Sequence, residues 1–203
     1  MMSGRFATVF KVKVRGKPWA ARVFTSKSED RQNRYKEISQ YVNPTPDSPF
    51  VEFKYLQEGI RNVKENGKTF PLITMEWVQG VTMFEWLTKQ CQSNNTAKLQ
   101  AALLKWVDIM TYLKEHDIAH GDLSGTNVMV TDDDEFKLVD YDGMCVPALQ
   151  GLDALEAGVI PYQHPSRGVD TKLDSTLDHH SSIFIYVAIA ALAEAPNLWQ
   201  QFV

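Results

Sequence analysis

The chain has 203 residues, 44% of them hydrophobic, enough to bury a sizeable core in one domain or two tightly joined lobes. A net charge of -4 gives no broad basic field, so neither nucleic acid nor an anionic membrane surface is an expected partner. Its two cysteines, Cys91 and Cys145, show no CxxC or Cys/His spacing, which argues against a zinc site or disulfide framework and fits a reducing, cytoplasmic compartment.

No charged stretch followed by an apolar one opens the chain, so no signal peptide is expected. Residues 6 to 24 read as a β-hairpin turning at Gly16 and Pro18. Residues 28 to 42 place Tyr35, Ile38 and Val42 at helical spacing and stop at Asn43-Pro44, which predicts one amphipathic helix on the sheet. Strands are predicted at Phe50 to Tyr55 and Thr69 to Trp77, joined by a polar loop with an Asn66-Gly67 turn.

After Gly80 the pattern becomes helical. Thr82 and Glu85 have the form of a capping box, in which a hydroxyl and a carboxylate satisfy the free amides of a helix start. Leu99, Leu103, Trp106, Val107, Met110 and Leu113 mark one face of a long helix, and short strands follow at Val128 to Val130 and Phe136 to Val139. The acidic run Asp132 to Glu135 reads as a solvated hairpin turn. Ile183 to Ala193, the longest apolar run, is too short to span a bilayer and reads as a buried helix.

Chemistry concentrates in residues 120 to 143, HGDLSGTNVMVTDDDEFKLVDYDG. Asp122 and Asn127 lie five positions apart in a loop, and Asp140 follows Asn127 by thirteen, at the end of a strand that a hairpin can bring back beside them. Magnesium takes a few hard oxygens together with substrate phosphates and water, which suits Asn127 and Asp140, while Asp122 can orient an attacking hydroxyl. Asp142 also precedes Gly143, but the apolar lead-in Phe136 to Val139 and the thirteen-residue interval favour Asp140. Read blandly, Asp122 and Asn127 are only turn formers.

This arrangement resembles the protein-kinase-like superfamily, whose catalytic loop H-R-D-L-x-x-x-N is similar to His120-Gly121-Asp122-Leu123 with Asn127, and whose D-F-G is similar to Asp140-Tyr141-Asp142-Gly143. Upstream, Gly4-Arg5-Phe6-Ala7-Thr8-Val9 resembles the latter half of a glycine-rich phosphate loop, with Val9 over the adenine. Trp19-Ala20-Ala21-Arg22-Val23 resembles the V-A-I-K strand, which implies Ala20 at the nucleotide, Arg22 at the phosphates and Glu37 as its partner on the helix. Met75 resembles the gatekeeper, and the resemblance implies that backbone groups of Glu76 and Val78 hold the adenine. Gly158 to Pro165 is similar to the end of an activation loop, and Asp178 to the buried aspartate opening the next helix.

Several positions depart from the pattern. Arg22 stands where the family has lysine, and a planar guanidinium does not replace a compact ammonium without rearrangement. Lys11 or Lys13 could take that role; Lys11 shares strand parity with Val9, the alternative being a solvent-exposed lysine. Glu37 has the alternative of a surface helix residue. Gly121 replaces the arginine that reads a phosphorylated activation loop, and residues 144 to 161 contain no Ser or Thr, so phosphorylation there is not an expected switch. His120 reads as a structural histidine bridging the loop and the metal segment, and His179-His180 as packing and capping groups.

The resemblance implies an α+β, bilobal protein-kinase-like fold: a small antiparallel N-lobe sheet with one helix over residues 1–80, and a mainly helical C-lobe over 81–203, minimal or truncated. It implies an ATP- and Mg2+-dependent phosphotransferase, a bacterial-type atypical Ser/Thr kinase, with nucleotide between the lobes and a protein substrate or partner. The alternatives are a pseudokinase that serves as a nucleotide-binding scaffold, or a small-molecule kinase of the aminoglycoside or choline type.

Overall fold

The computed structural model describes residues 2–3, 7–24, 29–42, 45, 47–64, 66–168 and 170–202. Contacts divide the chain into two units, Met1–Val78 and Gln79–Val203.

The first unit holds an antiparallel sheet of β1 (Met2–Ser3), β2 (Ala7–Val14), β3 (Lys17–Phe24), β4 (Phe53–Asn62) and β5 (Lys68–Glu76), in the order β1-β2-β3-β5-β4, with helix α1 (Glu29–Tyr41). Arg15 and Gly16 alone make the first turn, both with positive φ (50° and 84°), the geometry whose twist matches paired strands. Pro18 therefore lies inside β3, opposite Lys13, rather than in the predicted turn. Near a strand start its missing N–H is tolerated, and its carbonyl accepts the Trp77 N–H at 3.3 Å. β4 also runs further than predicted, through a register shift between Leu56 and Ile60. Gly59 sits in that irregularity, where a Cβ would overlap the Leu72 side chain. On α1, Tyr35, Ile38 and Val42 are buried as predicted, and the Tyr35 ring packs on Phe24 (5.6 Å) and Phe53 (6.2 Å), fastening the helix to the sheet.

The second unit comprises β6 (Gly80–Thr82), α2 (Met83–Gln92), α3 (Thr96–Glu115), β7 (Val128–Thr131), β8 (Phe136–Leu138), α4 (His179–Glu194) and α5 (Leu198–Phe202). Strand β6, which the sequence reading did not anticipate, pairs with β7 and completes a sheet of order β6-β7-β8. Gly80 permits the pairing, since a Cβ there would overlap the Val130 carbonyl. The capping box forms in full: Thr82 Oγ1 accepts the Glu85 N–H at 3.2 Å and Glu85 Oε2 accepts the Thr82 N–H at 2.9 Å. On α3 the buried face is Leu99, Ala102, Trp106, Ile109 and Leu113, so Val107, counted in the predicted stripe, is instead 45% exposed on the flank.

Two expectations change here. Asp134 is no solvated turn residue: it accepts from the Trp86 indole (2.9 Å), pairs with Lys98 (2.7 Å), and its carbonyl accepts from Lys105 (3.0 Å). The Lys98 contact holds its carboxyl below the usual carboxylate range. Helix α4, predicted to be buried, buries Ile185, Ile189, Leu192 and Ala193 but leaves Ile183 (64% exposed), Phe184, Tyr186 and Val187 at the surface. Its all-round apolar sequence hides this sidedness. Among the described residues no helix is long and apolar enough to cross a membrane.

Candidate active site

The loop after α3 is fixed by its backbone. Ala119 and Cys145 exchange N–H to carbonyl bonds (3.0 and 2.8 Å), tying the start of the loop to the chain after the D-Y-D-G stretch. The next two amides, of His120 and Gly121, donate to the carboxylate oxygens of Asp178, the Gly121 bond at 2.9 Å. Asp178 is buried immediately before α4. Burial pushes its pKa up, opposed by His120, by these two N–H donors and by Arg167. The fully buried His120 ring donates from Nε2 to the Val139 carbonyl (2.9 Å), because a carbonyl can only accept. His120 thus bridges the loop to the strand end before Asp140. The buried Tyr141 ring meets it edge-on at 6.1 Å and anchors its own hydroxyl on the Leu138 carbonyl.

Gly121, where the resemblance calls for arginine, is a backbone requirement. Its φ is +78°, and a Cβ would overlap the carbonyl of Gly143. The two motifs therefore touch backbone to backbone. Restoring the family residue by Gly121→Arg is expected to destabilise the protein by at least about 2 kcal/mol in denaturant titration. An unchanged midpoint would show that the loops separate freely.

Asp122 and Asn127 are brought into direct contact. The Asn127 amide nitrogen donates to the Asp122 carboxylate (2.9 Å) and to its main-chain carbonyl (2.8 Å), while the Asn127 carbonyl accepts the Val139 N–H at 3.0 Å. Asp140 follows directly, exposed and in a left-handed conformation (φ 65°, ψ 79°) that turns the chain from β8 into the Tyr141–Gly143 turn. Asp142 lies within that turn. The other Asp122 oxygen accepts the N–H of Val159 at 2.6 Å. A carboxylate held at both oxygens is oriented, and an amide whose nitrogen is engaged twice leaves its oxygen for a hard cation.

In the first unit, Gly4 lies outside the described residues. The register sets Val9 opposite Arg22 and Arg22 opposite Ile73, and Lys11 opposite Ala20 and Ala20 opposite Met75. Positions two apart alternate back to the same side, so Val9, Ala20, Arg22 and Met75 share one sheet face. Arg22 carries its guanidinium 5.7 Å from the ring centroid of Tyr35, which lies two residues before Glu37 on α1. Lys11 is exposed, with its ammonium 4.3 Å from the Trp77 ring centroid. The Glu76 N–H donates to the Glu52 carbonyl at 2.8 Å at the end of β5, whereas Val78 lies beyond the strand.

Sequence reasoning missed Val159 and Arg167. Val159 acts through its main-chain N–H, which carries no side-chain signal. Arg167 lies in an irregular stretch where no periodicity fixes its direction.

Residues 2–161 match the family described as protein kinase domain. Over 76 residues the chain is 34% identical to the probable serine/threonine-protein kinase mkcC of Dictyostelium discoideum, a match that covers 37% of this chain and 8% of that protein. With the family match extending over most of its length and the loop, strand and turn arranged as described, the chain belongs to the protein kinase domain family.

Proposed function

We propose that the chain is an ATP- and Mg2+-dependent phosphotransferase acting on protein hydroxyls. The observation that carries this reading is the Asp122 carboxylate oriented by Asn127 and by the Val159 N–H, with Asp140 one residue beyond the Val139 amide that Asn127 engages. Asp122 would accept the proton of the attacking hydroxyl as its oxygen bonds to the γ-phosphorus and ADP departs with the electron pair of the bridging bond. Asn127 and Asp140 supply hard oxygens that fit Mg2+, which when bound neutralises charge on the phosphates. Val9, Ala20, Arg22 and Met75, together with the Glu76 and Val78 backbone, form the proposed nucleotide-binding set, and the likeness to a probable Ser/Thr kinase supports a protein acceptor.

A second reading, a pseudokinase that binds nucleotide as a scaffold, is favoured by one observation: the position of the family's phosphate-binding lysine holds an arginine whose guanidinium lies 5.7 Å from the Tyr35 ring centroid. ATP titration followed by thermal shift, with and without Mg2+, then a phosphate-transfer assay on generic protein acceptors, separates the two. A Mg2+-dependent shift with turnover supports the enzyme; a shift without turnover supports the scaffold. The absence of any nucleotide-induced shift would sink both.

A further inference from the structure

One side chain links the catalytic loop to the segment 156–163. Arg167, partly buried, donates from Nη1 to the Gly121 carbonyl (2.6 Å) and to Gln163 Oε1, and from Nη2 to the Glu156 carbonyl (3.2 Å). These acceptors lie at three places: the peptide joining Gly121 to Asp122, and the two ends of the segment. Between those ends the Val159 N–H reaches Asp122 Oδ1. Gly158 makes the close approach possible, with φ +75°; a Cβ there would stand 2.9 Å from Asp122 Oδ1 and 2.6 Å from Gln163 Nε2. Burial works against the charge on Arg167, and the carboxylates of Asp178 and Asp122 counter it. Only a planar fork of donors serves three divergent acceptors; a lysine ammonium does not reproduce that geometry.

We infer that Arg167 is a positioning residue, which clamps segment 156–163 to the catalytic loop and so keeps the Val159 N–H on Asp122. Without that bond the carboxylate is held at one oxygen, by Asn127, and is free to rotate. A fixed arginine would thus order a segment that has no Ser or Thr between residues 144 and 161 to modify. The kinetic consequence rests on the phosphotransferase reading; the clamp itself does not.

The test is amide hydrogen exchange across 156–163 in the full chain, compared among wild type, Arg167→Ala, Arg167→Lys and Gly158→Ala. Exchange at Val159 is expected to rise at least about tenfold in Arg167→Ala, with the amides of β7 unaffected. In the transfer assay kcat should fall roughly a hundredfold, with the nucleotide KM unchanged. Arg167→Lys should recover little, and guanidinium ion added to Arg167→Ala should recover part. Equal Val159 exchange in wild type and Arg167→Ala would overturn the clamp, and faster exchange with unaltered kcat in an active wild type would overturn the positioning role. If Arg167→Ala does not fold, Arg167→Lys and Gly158→Ala carry the same comparison. A wild type that transfers no phosphate would fail the functional reading alone, leaving exchange to decide the clamp.

Discussion

Asp122→Ala is expected to lower kcat for phosphate transfer by about a thousandfold or more while the nucleotide KM stays within about twofold. The asymmetry follows from what Asp122 touches. Its carboxylate meets the Asn127 amide and the Val159 N–H, two donors that orient a proton acceptor. Both donors can turn to water once the side chain is gone, because Asp122 and Asn127 are only half-buried, so the stability loss should stay near about 1–2 kcal/mol. Asp122→Asn is a less clean probe: its amide offers one acceptor oxygen where two donors converge. Steady-state kinetics at varied ATP, beside a melting curve of each variant, checks all of this. Turnover that survives Asp122→Ala would remove Asp122 from the chemistry.

The largest expected effect on stability lies at Asp178. Its carboxylate receives two main-chain N–H groups from the catalytic loop in a buried site, so Asp178→Ala leaves both donors buried without an acceptor. A loss of about 3–5 kcal/mol is expected in denaturant titration. The pH dependence has an unusual sign for a carboxylate. Burial raises the folded pKa above the unfolded value of about 3.9. Between those two values the native state binds more protons than the unfolded one, so Asp178's contribution declines as pH rises through the window. The stability advantage of wild type over Asp178→Asn should therefore narrow from pH 4 upward, as melting temperatures taken across that range would show. An advantage that widens instead would mean that the loop amides and Arg167 outweigh desolvation.

Much of this architecture is legible in the sequence wherever a local rule governs. The Thr82 and Glu85 capping box, the Tyr35–Ile38–Val42 stripe and the Asn66-Gly67 turn depend on neighbours a few residues away, and all form. The bridging role read for His120, which opens the catalytic loop, is also met: its ring donates to the Val139 carbonyl. What escaped depends on chain segments far apart. Asp134 finds Trp86 and Lys98 across the fold, Val159 acts through its backbone, and β6 exists because Gly80 can approach Val130. The exposed side of α4 escaped for a different reason: an apolar run signals a helix without saying which face is covered.

The tethering of Asp134 has a consequence for the spacing of Asn127 and Asp140. The hairpin between them is gripped at its tip by Trp86 on α2 and by Lys98 and Lys105 on α3, and at its base by the Asn127–Val139 bond. Held at both ends, β7 and β8 act as a rigid calliper rather than as a connection of adjustable length. Lengthening the turn at Asp132-Asp133 would have to release the tip before it could be absorbed, so the interval between these two oxygen donors is gauged by two helices that grip the far end of the hairpin.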